Sequence, residues 1–287
     1  MSPPVSAGTL RRVAPAKINL GLHVLRRRLD GYHDVETVLL PVGWRDRLTV
    51  RHGKPFSFSC TDPTLPVDDR NLCVRAAHAL AAHAGIEPHG ALHLEKHVPH
   101  GAGLGGGSSD AAHTLRLLAD WWSLEVPGSA LHALAARLGS DVPFFLHDEA
   151  MLATGRGEVL EPLAAEPYRL PFALTIVMPP VHVSTGDAYA LVQPNAEPGP
   201  DLRATVLSND LERWHRDLVN DFQAPIFERY PEACRVRDTL VESGAGYAAL
   251  SGSGAAVFGV FEQAKAARHA AHAAEATGLR AWWSDAA

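Results

Sequence analysis

Pro99-His100-Gly101-Ala102-Gly103-Leu104-Gly105-Gly106-Gly107-Ser108-Ser109-Asp110-Ala111-Ala112 is the stretch on which the reading of this chain turns. Five of the seven residues from 101 to 107 are glycine, two hydroxyls and an acid follow, and the Ala/Leu-rich run over 111–122 reads as a helix. Glycine turns through positive φ without strain and lets backbone amides approach a ligand with no Cβ in the way. A loop that ends on a helix N-terminus adds unpaired N–H groups and about half a positive charge of dipole. Together these make an anion site, and phosphate is the anion that suits it best. Gly101, Gly103 and Gly106 also satisfy G-x-G-x-x-G, the dinucleotide fingerprint. However, Pro99-His100 separates them from the preceding strand, and no second strand ending in an acid follows. A P-loop needs a lysine after the glycines, and a protein kinase needs V-A-I-K and H-R-D; all are missing. Tight apolar elements on both sides argue against a flexible linker. What remains is a loop-then-helix phosphate cradle of another kind.

The rest of the composition narrows the setting. With 287 residues, 46% hydrophobic and 20% charged, the chain can bury a large core as one big domain or two ordinary ones. A formal net charge of -6 disfavours nucleic acid or an anionic membrane as the main partner. Cys60, Cys73 and Cys234 are odd in number and form no C-x-x-C, which fits a reduced, cytoplasmic setting. No apolar run reaches membrane-spanning length, and residues 1–14 make a poor signal peptide. The 16 histidines include His89, His93 and His97 at a four-residue spacing, but no H-E-x-x-H, so no metal centre is expected from them.

Ile18, Leu20, Leu22 and Val24 recur at period two and mark a first strand. Residues 35–42, 47–50 and 56–60 are further strand candidates. Residues 68–84 read as a helix closed by Gly85, and Leu92 and Leu94 begin the strand that enters the glycine loop. Residues 129–138 read as a helix capped by Ser129 and stopped by Gly139. The pattern restarts at 172–178, which places a boundary at 164–170, and 194–200 is a Pro/Gly-rich loop. Strands over 247–250 and 255–261 flank Ser251-Gly252-Ser253-Gly254, before a helix over 262–277 and a short strand over 280–283. Strands gathered early, without strict βαβ alternation, predict an α+β fold.

Three constellations carry a resemblance. Ala14-Pro15-Ala16-Lys17-Ile18-Asn19-Leu20, the 99–112 loop and Leu250-Ser251-Gly252-Ser253-Gly254-Ala255 resemble, in order and spacing, the three signature motifs of the GHMP kinases. Asp30-Gly31-Tyr32-His33, Leu138-Gly139-Ser140-Asp141-Val142-Pro143-Phe144-Phe145 and Gly105-Gly106-Gly107-Ser108-Ser109 narrow it. They are similar to members whose acceptor carries a cytidyl diphosphate head, in the non-mevalonate route to isoprenoid precursors. Two positions depart from the pattern: Leu29 stands where proline is usual, and His100-Gly101-Ala102 where further glycine is common. The resemblance spans essentially the whole chain and implies a two-domain α+β architecture. Residues 1–165 would form a ribosomal-protein-like ATP-binding domain with a left-handed βαβ unit. Residues 166–287 would form a ferredoxin-like substrate domain whose last strand can return to the first domain. The implied reaction is ATP-dependent phosphorylation of the 2-hydroxyl of a cytidyl diphosphate sugar alcohol, with Mg²⁺, by a monomer or homodimer. The alternatives are a mevalonate- or homoserine-type acceptor, or a non-enzymatic nucleotide- or RNA-binding module, against which the acidic balance counts.

The same resemblance assigns roles residue by residue. Lys17, one of four lysines, becomes the cation that lowers the acceptor hydroxyl's pKa; its position alone also suits a snorkelling surface lysine. Asp141 becomes the group that orients the hydroxyl and takes its proton, although Ser-Asp-Val-Pro by itself favours a helix N-cap. Pro99, Gly101, Gly103, Leu104, Gly105, Gly106, Gly107, Ser108 and Ser109 hold the phosphates, and Asn71 and Lys96 lie near the nucleotide. Ser108 or Ser109 reaches Mg²⁺ or a phosphate oxygen, with Ser109 entered as the metal candidate. On the acceptor side stand Asn19, Tyr32, His33, Thr185 and Tyr189, the last as a second aromatic on the base, with Arg156 as a diphosphate clamp. Gly252 and Ser253 complete the set near the transferred phosphate.

Overall fold

The computed structural model describes residues 8–195 and 199–286, so parts of the 1–14 leader and of the 194–200 loop lie outside the described residues. Two long paired strands open the fold, β1 (Thr9–Arg27) and β2 (His33–Arg51). The sequence reading split β2 in two. The structure keeps it whole because Trp44, Asp46 and Leu48 turn inward while Gly43, Arg45 and Arg47 face out, an unbroken period of two. β3 (Ser57–Cys60), α1 (Leu72–Ala84) and β4 (Ala91–Glu95) form a βαβ unit in which β3 and β4 pair in parallel, Ser57 opposite Ala91. β4 also pairs antiparallel with the far end of β2, Arg47 opposite Glu95. α1 starts later than 68 because Asn71 caps it, its side chain accepting from Cys73 N, and it ends on left-handed Gly85 as expected.

α2 (Gly106–Trp121) begins earlier than the Ala/Leu run suggested, so Gly106 and Gly107 belong to the helix and Gly105, at φ +67°, is the last loop residue. α3 (Gly128–Leu138) corrects the expected Ser129 cap. Pro127 O already accepts from Ala130 N and Leu131 N, so Ser129 lies inside the helix and no side chain caps it. A single 3₁₀ turn, Pro143–Leu146, follows. The three helices pack on one another through small residues such as Ala76 and Ala77 of α1 and Ala111 and Ala112 of α2.

Next come β5 (Met151–Thr154) and β6 (Val159–Pro162), with β5 pairing the near end of β2, Thr37 opposite Ala153. β7 (Ala173–Met178) is followed by α4 (Thr185–Leu191), α5 (Leu202–Leu207), α6 (Leu211–Asp217), α7 (Gln223–Arg229) and α8 (Pro231–Glu242). β8 (Tyr247–Leu250), β9 (Val257–Phe261), α9 (Ala264–Ala276) and β10 (Arg280–Ser284) complete the chain. The last four strands form an antiparallel sheet in the order β10-β7-β9-β8, the ferredoxin-like arrangement, with α8 and α9 packed on it. The last strand does not return to the first domain: it pairs with β7 along its length, Arg280 opposite Met178 and Ser284 opposite Leu174. Arg268 of α9 lies over the Trp283 ring at 5.8 Å, which ties strand and helix together. The fold is α+β, as the strand distribution predicts.

Two compact units result, and neither is a continuous stretch. The first comprises residues up to Ala16, Trp44–Val98 and Gly105–Asp148; the second comprises Lys17–Gly43, Pro99–Leu104 and the chain from Glu149 onward. The glycine loop therefore starts in one unit and ends in the other.

Inside the first unit, His113 of α2 is buried, and its Nδ1–H donates to Ser109 O at 2.8 Å. Burial pulls its pKa from 6.5 down to about 4. The folded chain thus keeps the ring neutral while the unfolded chain binds a proton near pH 6.5. This contribution to stability is complete above pH 6.5 and is lost as pH falls toward 4. Thermal unfolding of the wild type and His113→Gln between pH 7 and 4.5 tests it. The wild type should lose Tm relative to the variant as the pH drops.

Candidate active site

Lys17 and Asn19 are two residues apart on β1 and so share one face of the strand. Lys17 is only 4% exposed, so the surface-lysine alternative is not what the chain adopts. Its ammonium donates to Asn19 Oδ1 and to Gly103 O, each at 2.7 Å. Gly103 O also accepts from Ser251 Oγ at 3.0 Å, which joins the first, second and third sequence motifs at one carbonyl. Backbone bonds reinforce the junction: Lys17 N donates to Leu104 O and Ala256 N to Ala102 O. Gly103 has φ +75°, and a Cβ on it would sit 2.0 Å from Ser251 O, so no other residue fits. Gly252 passes over the same cluster: a Cβ on it would sit 3.2 Å from both Asn19 Oδ1 and Lys17 Nζ. Asn220 fixes that third motif from behind: its Nδ2 donates to Leu250 O and Gly252 O, both at 2.9 Å, and its Oδ1 accepts from Phe222 N.

In the first unit, the helix half of the loop has its own anchor. Lys96 Nζ lies between Asp46 Oδ2 at 2.5 Å and Asp110 Oδ2 at 2.7 Å, and all three side chains are nearly inaccessible. Asp46 Oδ1 also accepts from His97 N and Val98 N, which pins the entry to the loop. Two carboxyl groups share one ammonium in the core. Burial pushes Asp110 up to about 8, even though Lys96 beside it works in the opposite direction. Asn71, the other nucleotide candidate here, spends its side chain on capping α1 and on a bond to Pro66 O. Of the two serines, Ser109 is fully buried with its hydroxyl 3.4 Å from His113 Nδ1, whereas Ser108 is half-buried in the first turn. Asp141 precedes the 3₁₀ turn, but Val142 is the capping residue and no side chain caps it; the N-cap alternative for Asp141 does not hold.

A third group gathers the aromatic candidates in the second unit. The His33 and Tyr189 rings stack at 4.8 Å with 19° between their planes, and Tyr189 rests edge-on against buried Phe222 at 4.9 Å. Burial holds the His33 imidazole below its usual pKa, and Arg27 adds to the effect. Tyr32 is 54% exposed, with the Arg156 guanidinium 5.0 Å over its ring. Glu158 orients that arginine through both its backbone N–H and its Nε. Thr185 starts α4 behind the Ser184 cap and is exposed, and Ser253 is half-buried in the turn after β8. Ser251, Asn220, Glu158 and Thr37 take part in these networks, yet the sequence reading assigned none of them a role. A lone Asn between helices or a Thr in an apolar strand gives no signal in a single sequence.

Comparison with known proteins agrees with this geometry. The chain matches the family described as GHMP kinases N terminal domain over residues 71–149, and GHMP kinases C terminal over residues 202–278. It is 50% identical to a 4-diphosphocytidyl-2-C-methyl-D-erythritol kinase of Salinibacter ruber, covering 94% of this chain and 96% of that protein. An enzyme of the same description from Chlorobium phaeobacteroides is 47% identical, over 89% of this chain and 90% of its own length. Among solved structures, a 4-(cytidine 5'-diphospho)-2C-methyl-D-erythritol kinase matches with a TM-score of 0.80 at 38% identity, covering 96% of this chain and 98% of that one. A homoserine kinase from Cytophaga hutchinsonii, 17% identical over 100% of this chain and 97% of its own, shares the fold with a TM-score of 0.74.

Two glycines of the loop should respond in opposite ways to a single methyl group. Gly103→Ala meets a backbone carbonyl and a left-handed φ, and should lower Tm by roughly 5 °C or more. Gly107→Ala meets nothing within 4 Å and lies in a helix, so Tm should hold or rise by about 2 °C. Calorimetry of the two variants checks the contrast.

Proposed function

The chain belongs to the GHMP kinases, and we propose that it transfers the γ-phosphate of ATP to the 2-hydroxyl of 4-diphosphocytidyl-2-C-methyl-D-erythritol. It is an ATP-dependent phosphotransferase of a cytoplasmic route to isoprenoid precursors. Residues 1–165 serve as its ATP-binding domain and 166–287 as its substrate domain. The observation that carries the choice of acceptor is the His33–Tyr189 stack, seated on Phe222. An acceptor without a base has no use for such a shelf, whereas a pyrimidine gains stacking from the rings and a polar partner from the imidazole. Arg156, turned over Tyr32 by Glu158, supports binding of the diphosphate.

Phosphoryl transfer passes through a loose transition state, so positioning and charge neutralisation matter more than base strength. The acceptor oxygen bonds to the γ-phosphorus as the bond to the β-phosphate oxygen breaks, and ADP leaves. Asp141 orients the hydroxyl and receives its proton. Lys17, held by Asn19 and Gly103, offsets charge on the transferring group. The amides of 103–108 bind the phosphates, the Ser109 amide being committed to Gly105 O, and Gly252 and Ser253 lie at the transferred group. Lys96 acts here by anchoring the loop through Asp46 and Asp110, and Asn71 by setting the start of α1. Half-buried Ser108, rather than fully buried Ser109, would be the hydroxyl to hold a nucleotide-borne Mg²⁺, which would supply charge neutralisation on the phosphates.

One assay tests the reading: ATP-dependent phosphorylation of 4-diphosphocytidyl-2-C-methyl-D-erythritol, run beside mevalonate and homoserine. Turnover of the cytidyl substrate is expected; turnover of another acceptor without it would sink the proposal. Asp141→Asn should lower kcat by about 10²- to 10⁴-fold. Tyr189→Ala should raise the acceptor KM about tenfold and leave the KM for ATP in place.

A further inference from the structure

The hydrogen bonds around Lys17 continue to a residue outside every motif. Gly21 lies within β1 at φ +73°, and its carbonyl accepts the Thr37 hydroxyl at 2.6 Å. A carbonyl can only accept, so the single hydroxyl proton of Thr37 is committed there. Towards Asn19 the Thr37 oxygen then offers only lone pairs, and it accepts from Asn19 Nδ2 at 2.9 Å. This fixes the carboxamide. Its NH₂ end faces Thr37 and its oxygen faces Lys17, whose ammonium donates to it at 2.7 Å. Rotated by half a turn, Asn19 would set two N–H donors against an ammonium that has only donors.

We propose that Thr37 is a positioning residue for phosphoryl transfer: its hydroxyl dictates which end of Asn19 meets Lys17, and so where the ammonium sits. The inference rests on the kinase reading above. Thr37, Asn19 and Lys17 are each buried, so water does not replace a lost partner in this row. Valine at 37 keeps the shape of threonine but supplies neither the donor for Gly21 O nor the acceptor for Asn19. The carboxamide loses its orientation, and the ammonium loses one of its oxygens. Serine keeps both.

Steady-state kinetics on the full chain decides it. Thr37→Val should lower kcat by about ten- to hundredfold with both KM values within about twofold, and Thr37→Ser should stay within about threefold of wild type. A Thr37→Val enzyme with wild-type kcat, or a Thr37→Ser enzyme as slow as Thr37→Val, overturns the proposal. If circular dichroism shows Thr37→Val unfolded, Thr37→Ala carries the same comparison. Wild-type turnover is measured first, because its absence counts against the acceptor and not against the relay. In that case the side-chain amide signals of Asn19 in ¹⁵N-labelled protein give the answer. They should move in Thr37→Val and return in Thr37→Ser; unmoved signals overturn the relay.

Discussion

A positive charge taken out of water has to be met by oxygen, and the buried ammonium of Lys17 imposes that condition on everything around it. One oxygen comes from Asn19, whose place two residues along the strand is the shortest route back to the same face. Another comes from the backbone of the glycine loop, so the loop has to pass close enough to lend a carbonyl. That approach leaves no room at Gly103 for a side chain, because Ser251 arrives from the opposite direction at the same atom. The three short motifs, far apart in the chain, are in this sense three answers to one electrostatic demand.

Lys96 shows a different solution to the same problem. Its ammonium lies between two carboxyl groups, and burial together with the neighbouring Asp46 raises the pKa of Asp110. Such a buried cluster is costly to assemble and costlier to break by removing one member. It therefore suits a structural anchor rather than a group that must follow a changing substrate. Lys17 is met by an amide oxygen and by a backbone carbonyl of the glycine loop.

Much of this was legible in the residues. Period-two patterns located the strands, Gly85 ended α1, and the glycine run marked the loop that leads into α2. The motif resemblance singled out Lys17 and Asp141, which residue type alone would have left as surface and cap. What could not be read depends on distant packing. Ser129 looks like a cap until the proline carbonyl ahead of it is seen to have started the helix. The last strand could have paired elsewhere, and only the open edge of β7 decides where it goes. Ser108 and Ser109 are neighbours of one chemical type, and the helix turns one inward to His113 and leaves the other accessible. Asn220 and Thr37 act on residues 32 and 18 positions away, distances over which a single sequence carries no pattern.

The junction at Gly103 also bears on synthesis. Its hydroxyl partner, Ser251, lies 148 residues further along the chain. At ribosomal speeds of about 5–20 residues per second, the loop emerges roughly 7–30 s before the group that completes its seat. During that interval the Gly103 carbonyl lacks its Ser251 partner. The junction at Gly103 is thus assembled late, and closing it entails a loop closure of 148 residues. A chain interrupted before β8 would carry the glycine loop in full and lack the hydroxyl that meets its carbonyl.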